Sequence, residues 1–356
     1  NDCQETSDHT CRLCDGPPTL REMERFFLPV QPYEAELTSF WEQVEMPPHV
    51  ESLCEDMLSK GLPEIAISHP SNWGIPVPVD GFRDQTMLPL FEMAPGFLLQ
   101  WGEFDDLPEQ GPVKFFGFDN AYFQVALIPV LFMQFEPDLP LPRAFVVNEF
   151  FRLEGSKFST SRRHLVTGAD ALAATSSDAL RFHVLANRPL GRQTDFSLSG
   201  LAGTQRRLEE NWNGWLQRLV AQLHTECGGS VPDQQPDGYQ WPALARRSER
   251  ALEDLRDSYS VRGFDLRRAT MILDQMVEAA NEFAFLHAHC GSTRGRKRSI
   301  AAQLTIASTL AKAAAPIMPK GSRRLADLLG DSGPSALGPD ALTPLPAGRP
   351  IAPIDE

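Results

Sequence analysis

Long apolar runs are missing from this sequence. None approaches the roughly 20 residues a membrane-spanning helix needs, and the polar, acidic start lacks the charged and apolar blocks of a secretory signal. Cysteine is scarce: six in 356 residues are too few for a disulfide framework, and Cys54, Cys227 and Cys290 stand alone. Positive charge is in deficit, with 33 Lys and Arg against 47 Asp and Glu, and the net charge of −14 argues against indiscriminate nucleic-acid binding. No internal repeat is visible. These absences leave a soluble, cytoplasmic chain without a membrane partner, too long for one hydrophobic core and so of at least two domains. It starts at Asn1 and not at Met, and is expected to be a piece of a longer protein.

Three cysteines do cluster. Cys3, Cys11 and Cys14, with His9 between them, offer the four thiolate or imidazole ligands a structural zinc takes. The other reading is a degraded knuckle, because Cys3 has no second cysteine three residues on. Basic residues cluster at 294–298, where Arg-Gly-Arg-Lys-Arg reads as a solvated loop with RNA contact as the alternative. His287, His289 and Cys290 do not make a metal site, because positions i and i+2 of a helix face apart.

Along the chain, residues 34–60 have the pattern of an amphipathic helix. Residues 65–67, 86–100, 113–118 and 143–153 have the apolar, β-branched or aromatic character of buried strands, and 120–134 that of a helix laid on a sheet. Strand, helix, strand is the order of a parallel α/β layer. From 200 onward the texture is helical. Leu266, Ala269, Leu273, Met276, Val277, Ala280 and Phe283 form one stripe, and Leu304, Ala307, Leu310, Ala314 and Ile317 another. Helices are predicted near 200–224, 242–258, 263–288 and 297–314, the last ended by Pro316 and Pro319. The tail from 331, rich in Pro, Gly and Ala, reads as a linker or disordered end.

One stretch is specific. Gly155-Ser156-Lys157-Phe158-Ser159-Thr160-Ser161-Arg162-Arg163 is followed by Ser177-Asp178-Ala179-Leu180-Arg181-Phe182 and by Thr194-Asp195-Phe196-Ser197. In this order they resemble the mobile ATP loop, Lys-Met-Ser-Lys-Ser, and following segment of the methionyl-tRNA synthetase family. Ile67-Ser68 and Trp73-Gly74-Ile75-Pro76-Val77-Pro78 are similar to the family's Ile-Ser-Arg-x-x-x-Trp-Gly-Ile-Pro-Val-Pro.

The resemblance covers roughly residues 1–330. It implies an α/β fold: the remnant of a zinc-binding insertion (1–33), the second half of a Rossmann-like catalytic domain (34–153), the ATP-loop segment (154–200), a helix bundle like an anticodon-binding domain (201–330), then the tail (331–356). It implies an ATP-dependent ligase that forms an aminoacyl adenylate with ATP and Mg2+, and with Zn2+ if the knuckle is intact. Lys157, Ser159, Ser161 and Arg162 would be catalytic. Gly117, Asp119 and Lys157 would hold the nucleotide, and Leu90, Glu92, Phe118 and Gln124 the amino acid; the other reading of Asp119 is a helix cap.

The departures from the family all weaken methionine and tRNA as partners. The loop's second lysine is Thr160, the pocket tryptophan is Leu90, the lysine beside Asp119 is Phe118, and the pocket histidine is Gln124. Ala288-His289-Cys290-Gly291 stands where a Pro-Trp stacks on the anticodon, and no His-x-Gly-His occurs, so the first half of the fold is expected either upstream or lost, and that missing half or a fused domain is the expected partner. The expectation is amino-acid activation outside translation, as in synthetase-like domains joined to a cupin that form nitrogen–nitrogen bonds. A methionine–tRNA ligase and a catalytically inactive binding homologue are the alternatives.

Overall fold

The computed structural model describes residues 6–7, 10–11, 17, 22–102, 111–160, 162–238, 240–287, 292–331, 337–338 and 340–354. The chain divides into two compact units, Asn1–Val44 with Pro48–Pro112 and Asn120–Arg143, and Glu45–Pro47 with Val113–Asp119 and Ala144–Glu356.

The first unit opens with a short antiparallel pair, β1 (Thr6–Ser7) and β2 (Thr10–Cys11). β3 (Phe27–Pro29) pairs with β4 (Glu64–Ala66), and β5 (Ser68–Pro70) with β6 (Gln85–Met87), both antiparallel. The single helix expected over 34–60 is two, α1 (Glu34–Trp41) and α2 (Pro48–Lys60). Pro47 and Pro48 cause the break, since a residue before proline is pushed out of helical geometry and proline is at ease in a first turn. The strand expected over 86–100 is mostly helix: after β6 comes α3 (Pro89–Gly102), with Pro95 inside it. An apolar run of that length does not separate strand from buried helix, and Pro95, which cannot donate to the carbonyl one turn back, weakens the helical signal.

A π-helical turn (Phe123–Leu127) leads into α4 (Ile128–Phe135). Pro129 has no N–H for the carbonyl of Val125, four residues back. The indole Nε1 of Trp41 donates to that carbonyl instead, at 2.9 Å, so a buried backbone acceptor orphaned by proline is satisfied from a neighbouring helix.

In the second unit, β7 (Val113–Gly117) runs parallel to β8 (Ala144–Asn148), from Val113 opposite Ala144 to Gly117 opposite Asn148. The parallel layer expected from the sequence is present. β8 buries Ala144, Phe145, Val146 and Val147 in succession, as a strand covered on both faces does. β9 (Phe151–Leu153) lies between antiparallel β10 (Ser156–Lys157) and parallel β11 (Thr194–Phe196). Between β10 and β11 run α5 (Gly168–Ala174), started by a capping box of Thr167 and Asp170, and α6 (Ser177–Ala186), capped by Ser176.

The bundle follows the predicted helices closely. α7 (Leu198–Arg207) continues through a π segment (Leu208–Asn213) into α8 (Gly214–Cys227), then come α9 (Trp241–Tyr259), α10 (Leu266–His287) and α11 (Thr293–Ala313). α11 is the bundle's central helix. It buries residues all round, including Thr305 and Thr309, whose hydroxyls bond back to backbone carbonyls, and Gln303, whose Oε1 accepts from Trp215 Nε1 at 3.0 Å. The basic run 294–298, expected as a loop, opens this helix; Arg296 pairs with Glu226 at 2.9 Å and Arg298 with Asp237 at 3.0 Å. A further helix, α12 (Pro319–Leu328), begins at the proline read as a terminator, because proline suits the first helical position.

The tail also departs from its reading. Ala341, Leu345 and Ile351 are buried in the bundle core, Ile351 N–H donates to the Gly229 carbonyl at 2.8 Å, and Arg256 donates to the carbonyls of Leu337 and Gly338. Proline and glycine bar regular structure here without preventing docking. No helix among the described residues is long and apolar enough to cross a membrane.

Candidate functional site

The loop at 157–163 is a hairpin hung from β9 and β10. Glu154 and Gly155, at φ 47° and 83°, make the two-residue turn between these strands, a geometry that needs positive φ at both positions. Beyond Lys157 the chain folds back, with Ser159 N–H donating to the His164 carbonyl and His164 N–H to the Ser159 carbonyl, each at 2.9 Å. The Ser159 hydroxyl accepts from Arg162 N–H at 3.3 Å, and His164 Nε2 lies 3.0 Å from the Leu153 carbonyl. Phe158 packs on the small core of Leu153, Ala171, Phe196 and Leu201. Lys157, Arg162 and Arg163 are exposed, and none has an ion-pair partner among the described residues. Ser161 lies outside the described residues.

Asp195 secures this hairpin. Its Oδ1 accepts from Gly155 N–H at 2.9 Å and its Oδ2 from Arg152 at 2.8 Å, tying β11 to the turn that carries Lys157. The sequence showed Asp195 as part of a motif and gave it no role.

Gly117, Phe118 and Asp119 sit at the carboxyl end of β7, where parallel α/β layers receive ligands. A Cβ on Gly117 would come within 2.6 Å of Asp119 Oδ1, so the glycine makes room for that carboxylate. Asp119 is exposed and its carboxylate accepts no hydrogen bond among the described residues, so the capping alternative finds no bond to support it. Lys114, on the same strand, is held by burial down to about 8, well below an ordinary lysine. At the end of β8, Arg188 donates through Nε to Asn148 Oδ1 at 2.6 Å and through Nη1 to the Phe264 carbonyl at 3.3 Å, with its guanidinium 5.1 Å from the Phe264 ring centroid. Arg188 is only 6% exposed and locks the strand end to the turn before α10. Nothing in the sequence pattern marked it.

Leu90, Glu92 and Gln124 belong to the first unit. Leu90 and Glu92 lie in the first turn of α3, half-buried, and Glu92 Oε1 accepts from Ile75 N–H at 3.4 Å, joining the Trp-Gly-Ile-Pro stretch to the helix. Gly74, at φ 129°, passes so close to Thr86 that a Cβ would lie 3.1 Å from the threonine Cβ. Trp73 beside it is 81% exposed. Gln124 is buried in the π turn before α4, next to Tyr122, whose hydroxyl burial pushes up to about 12. The structure thus groups Lys157, Ser159 and Arg162 on one hairpin, Gly117, Phe118 and Asp119 on one strand end, and Leu90 with Glu92 on one helix turn.

Of the zinc candidates, Cys3, His9 and Cys14 lie outside the described residues, and Cys11 is described only as backbone of β2. The family's stacking position at 288–291 is likewise outside them. α6 supplies two contacts that the sequence did not announce. Asp178 accepts from the N–H groups of Lys320 and Gly321 at the start of α12, and Arg181 donates to the carbonyls of Pro316 and Ile317. Their i, i+3 spacing puts both on one face of α6, where they fasten the segment after the 157–163 hairpin to the α11–α12 corner.

Comparison with known proteins gives the family. The family model of class I tRNA synthetases (M) matches residues 2–220. A methionine–tRNA ligase of Thermomicrobium roseum is 29% identical over 65% of this chain and 42% of its own length, and one of Roseiflexus sp. (strain RS-1) is 27% identical over 92% of this chain and 60% of its own. The chain thus spans about half the length of these relatives. In fold it is similar to Mycobacterium tuberculosis methionyl-tRNA synthetase in complex with methionyl-adenylate, with a TM-score of 0.81 at 20% identity over 97% of this chain and 70% of that one. A family model spanning more than half of the chain, with relatives that are methionine–tRNA ligases, leads to one conclusion: the chain belongs to the methionyl-tRNA synthetase family of class I tRNA synthetases.

Proposed function

We propose that this chain supplies the ATP-loop side of an ATP-dependent ligase that activates an amino acid as its adenylate, working with the first half of the catalytic fold. The observation that carries this reading is the hairpin latched by Asp195, with three exposed cations in seven residues, Lys157, Arg162 and Arg163, that have no ion-pair partner among the described residues. In adenylation the amino-acid carboxylate attacks the α-phosphorus of ATP, the bond to the bridging oxygen breaks, and pyrophosphate leaves with the electron pair. Cations fixed beside the leaving phosphates stabilise that growing charge, each worth on the order of 3 kcal/mol. Lys157 occupies the position of the family's first loop lysine, and Arg162 and Arg163 stand in for the one replaced by Thr160.

Gly117 and Asp119 would meet the nucleotide or the substrate amine. Leu90, Glu92, Phe118 and Gln124 would shape the amino-acid pocket, and Leu90 in place of an indole gives a pocket of different volume. Mg2+ would enter bound to the triphosphate, and the cytoplasm, where ATP and amino acids are plentiful, is the matching location. The nitrogen–nitrogen bond-forming reaction raised by the sequence draws no support from the relatives described above, which are methionine–tRNA ligases.

A second reading, transfer of methionine to tRNA, is favoured by those relatives. Pyrophosphate exchange, measured on the protein carrying its upstream half against a panel of amino acids, tests both. Exchange with methionine alone supports the second reading, exchange with another amino acid supports activation outside translation, and no exchange with any amino acid removes both. Lys157→Ala is expected to slow exchange by roughly 100-fold.

A further inference from the structure

A groove of about 690 Å3 lies wholly within the second unit, where α5 and α6, the π segment before α8, the end of α11 and the start of α12 converge. Its size falls within the range of small-molecule sites. The lining is of two kinds. Trp212, Leu216, Leu310 and Met318 offer apolar surface, while Lys320 and Arg324 stand four residues apart on α12 and so share one face of that helix.

The charges are unevenly matched. Both carboxylates on the lining are engaged, Asp178 by the N–H groups of Lys320 and Gly321, and Glu209 by the side-chain amide of Gln205. The side chains of Lys320 and Arg324 are exposed and have no ion-pair partner among the described residues. The first turn of α12 holds no acidic residue of its own, and the Asp178 carboxylate from α6 takes the place of an anion at its N-terminus. Lys320 and Arg324, like charges one helical turn apart, repel each other modestly, and an anion bound between them relieves that repulsion. Ser322 adds a second mark of an unfilled site. It lines the groove, is only 6% exposed, and its hydroxyl has no hydrogen-bond partner among the described residues.

We infer that this groove binds a small amphipathic anion, an apolar body against Trp212, Leu216, Leu310 and Met318 with a carboxylate or phosphate head between Lys320 and Arg324. The site is independent of the adenylation reading, since none of its residues belongs to the ATP hairpin. It has a mechanical consequence. Asp178 lies on the groove wall and fastens α6 to α12, so a ligand there bears on the contact that joins the segment after the ATP loop to the bundle.

The test is a binding titration of the purified full chain with 8-anilinonaphthalene-1-sulfonate, an aromatic monoanion that fluoresces when shielded from water. One saturable site is expected, with energy transfer from tryptophan. The double variant Lys320→Glu/Arg324→Glu is expected to weaken binding at least 10-fold. Arg323→Glu, an exposed charge on the same helical turn that does not line the groove, is expected to leave it within twofold. The uncharged analogue N-phenyl-1-naphthylamine is expected to bind at least 10-fold more weakly. These are surface substitutions, and circular dichroism confirms that each variant is folded. Absence of a saturable site, equal binding of the uncharged analogue, or equal weakening by Arg323→Glu each overturns the proposal. Competition by decanoate and by decyl phosphate distinguishes the two head groups, and displacement by neither overturns the assignment of an apolar-tailed anion.

Discussion

At the scale of single residues, two side chains do work that their own local sequence does not explain. Trp41 satisfies the Val125 carbonyl that Pro129 leaves without a donor. Trp41→Phe keeps most of the ring and removes the donor, so a buried acceptor is stranded and the expected loss is about 1–3 kcal/mol in urea denaturation. Pro129→Ala restores a backbone donor, and in that background Trp41→Phe is expected to cost clearly less; equal costs would sink the explanation. Asp195 is the opposite case. Its ion pair with Arg152 is 42% and 44% exposed, so its contribution to stability is at most ~1 kcal/mol. Its bond to Gly155 N–H fixes the turn that carries Lys157. Asp195→Ala is therefore expected to leave the unfolding midpoint almost unchanged while trypsin cuts after Lys157, Arg162 or Arg163 several-fold faster. An unchanged cutting rate would show that the latch does not order the hairpin.

At the scale of elements, the bundle was legible because three- and four-residue apolar spacing is what a packed helix requires, and α9, α10 and α11 fall within a few residues of their predicted spans. Proline was the main source of misreading, because it ends a helix from inside and begins one from its first position. Pro95 concealed α3, while Pro319 was taken for the end of α11 and starts α12. The packing of α6 on α7 was illegible, since it depends on one buried histidine. His183 lies 2.8 Å from Thr204 Oγ1 through Nδ1, stacks edge-on against Phe196, and leaves Nε2 without a partner. Burial, then the nearby Arg207, lowers its pKa below the ordinary 6.5. The unfolded chain therefore takes up the proton first as pH falls. The stability His183 contributes is fully present above 6.5 and is lost as pH drops from there through the folded value. Stability measured by urea denaturation from about pH 7 to pH 5 is expected to fall for the parent chain, and His183→Gln is expected to flatten that slope. A slope unchanged by the substitution would assign the titration elsewhere.

At the scale of the whole molecule, the motif order identified the family and the α/β-then-helical architecture, but the candidate site was legible only in part. Leu90, Glu92 and Gln124 fall in the first unit, and Gly117, Phe118, Asp119 and Lys157 in the second. Resemblance proposed them one by one. The contacts around them, Asp195 with Gly155, Arg188 with Phe264 and Glu92 with Ile75, join side chain to backbone across sequence separations that no spacing rule exposes. The tail was misjudged for a related reason: composition reports the absence of helix and strand, and docking needs neither. Leu345 and Ile351 are 7% and 2% exposed, and residues 348–351 exchange backbone bonds with Gly229 and Val231. Burying a leucine or isoleucine contributes about 1.5–3 kcal/mol, so removing residues 340–356 is expected to cost roughly 3–6 kcal/mol from these two side chains alone. Thr309, inside α11, would lose the Ala341 carbonyl as well. The truncated chain is expected to unfold at markedly lower urea while its helical circular dichroism in the absence of denaturant stays near that of the parent. A shared urea midpoint for the two chains would mean that the tail lies on the bundle without stabilising it, and would restore the reading of a linker.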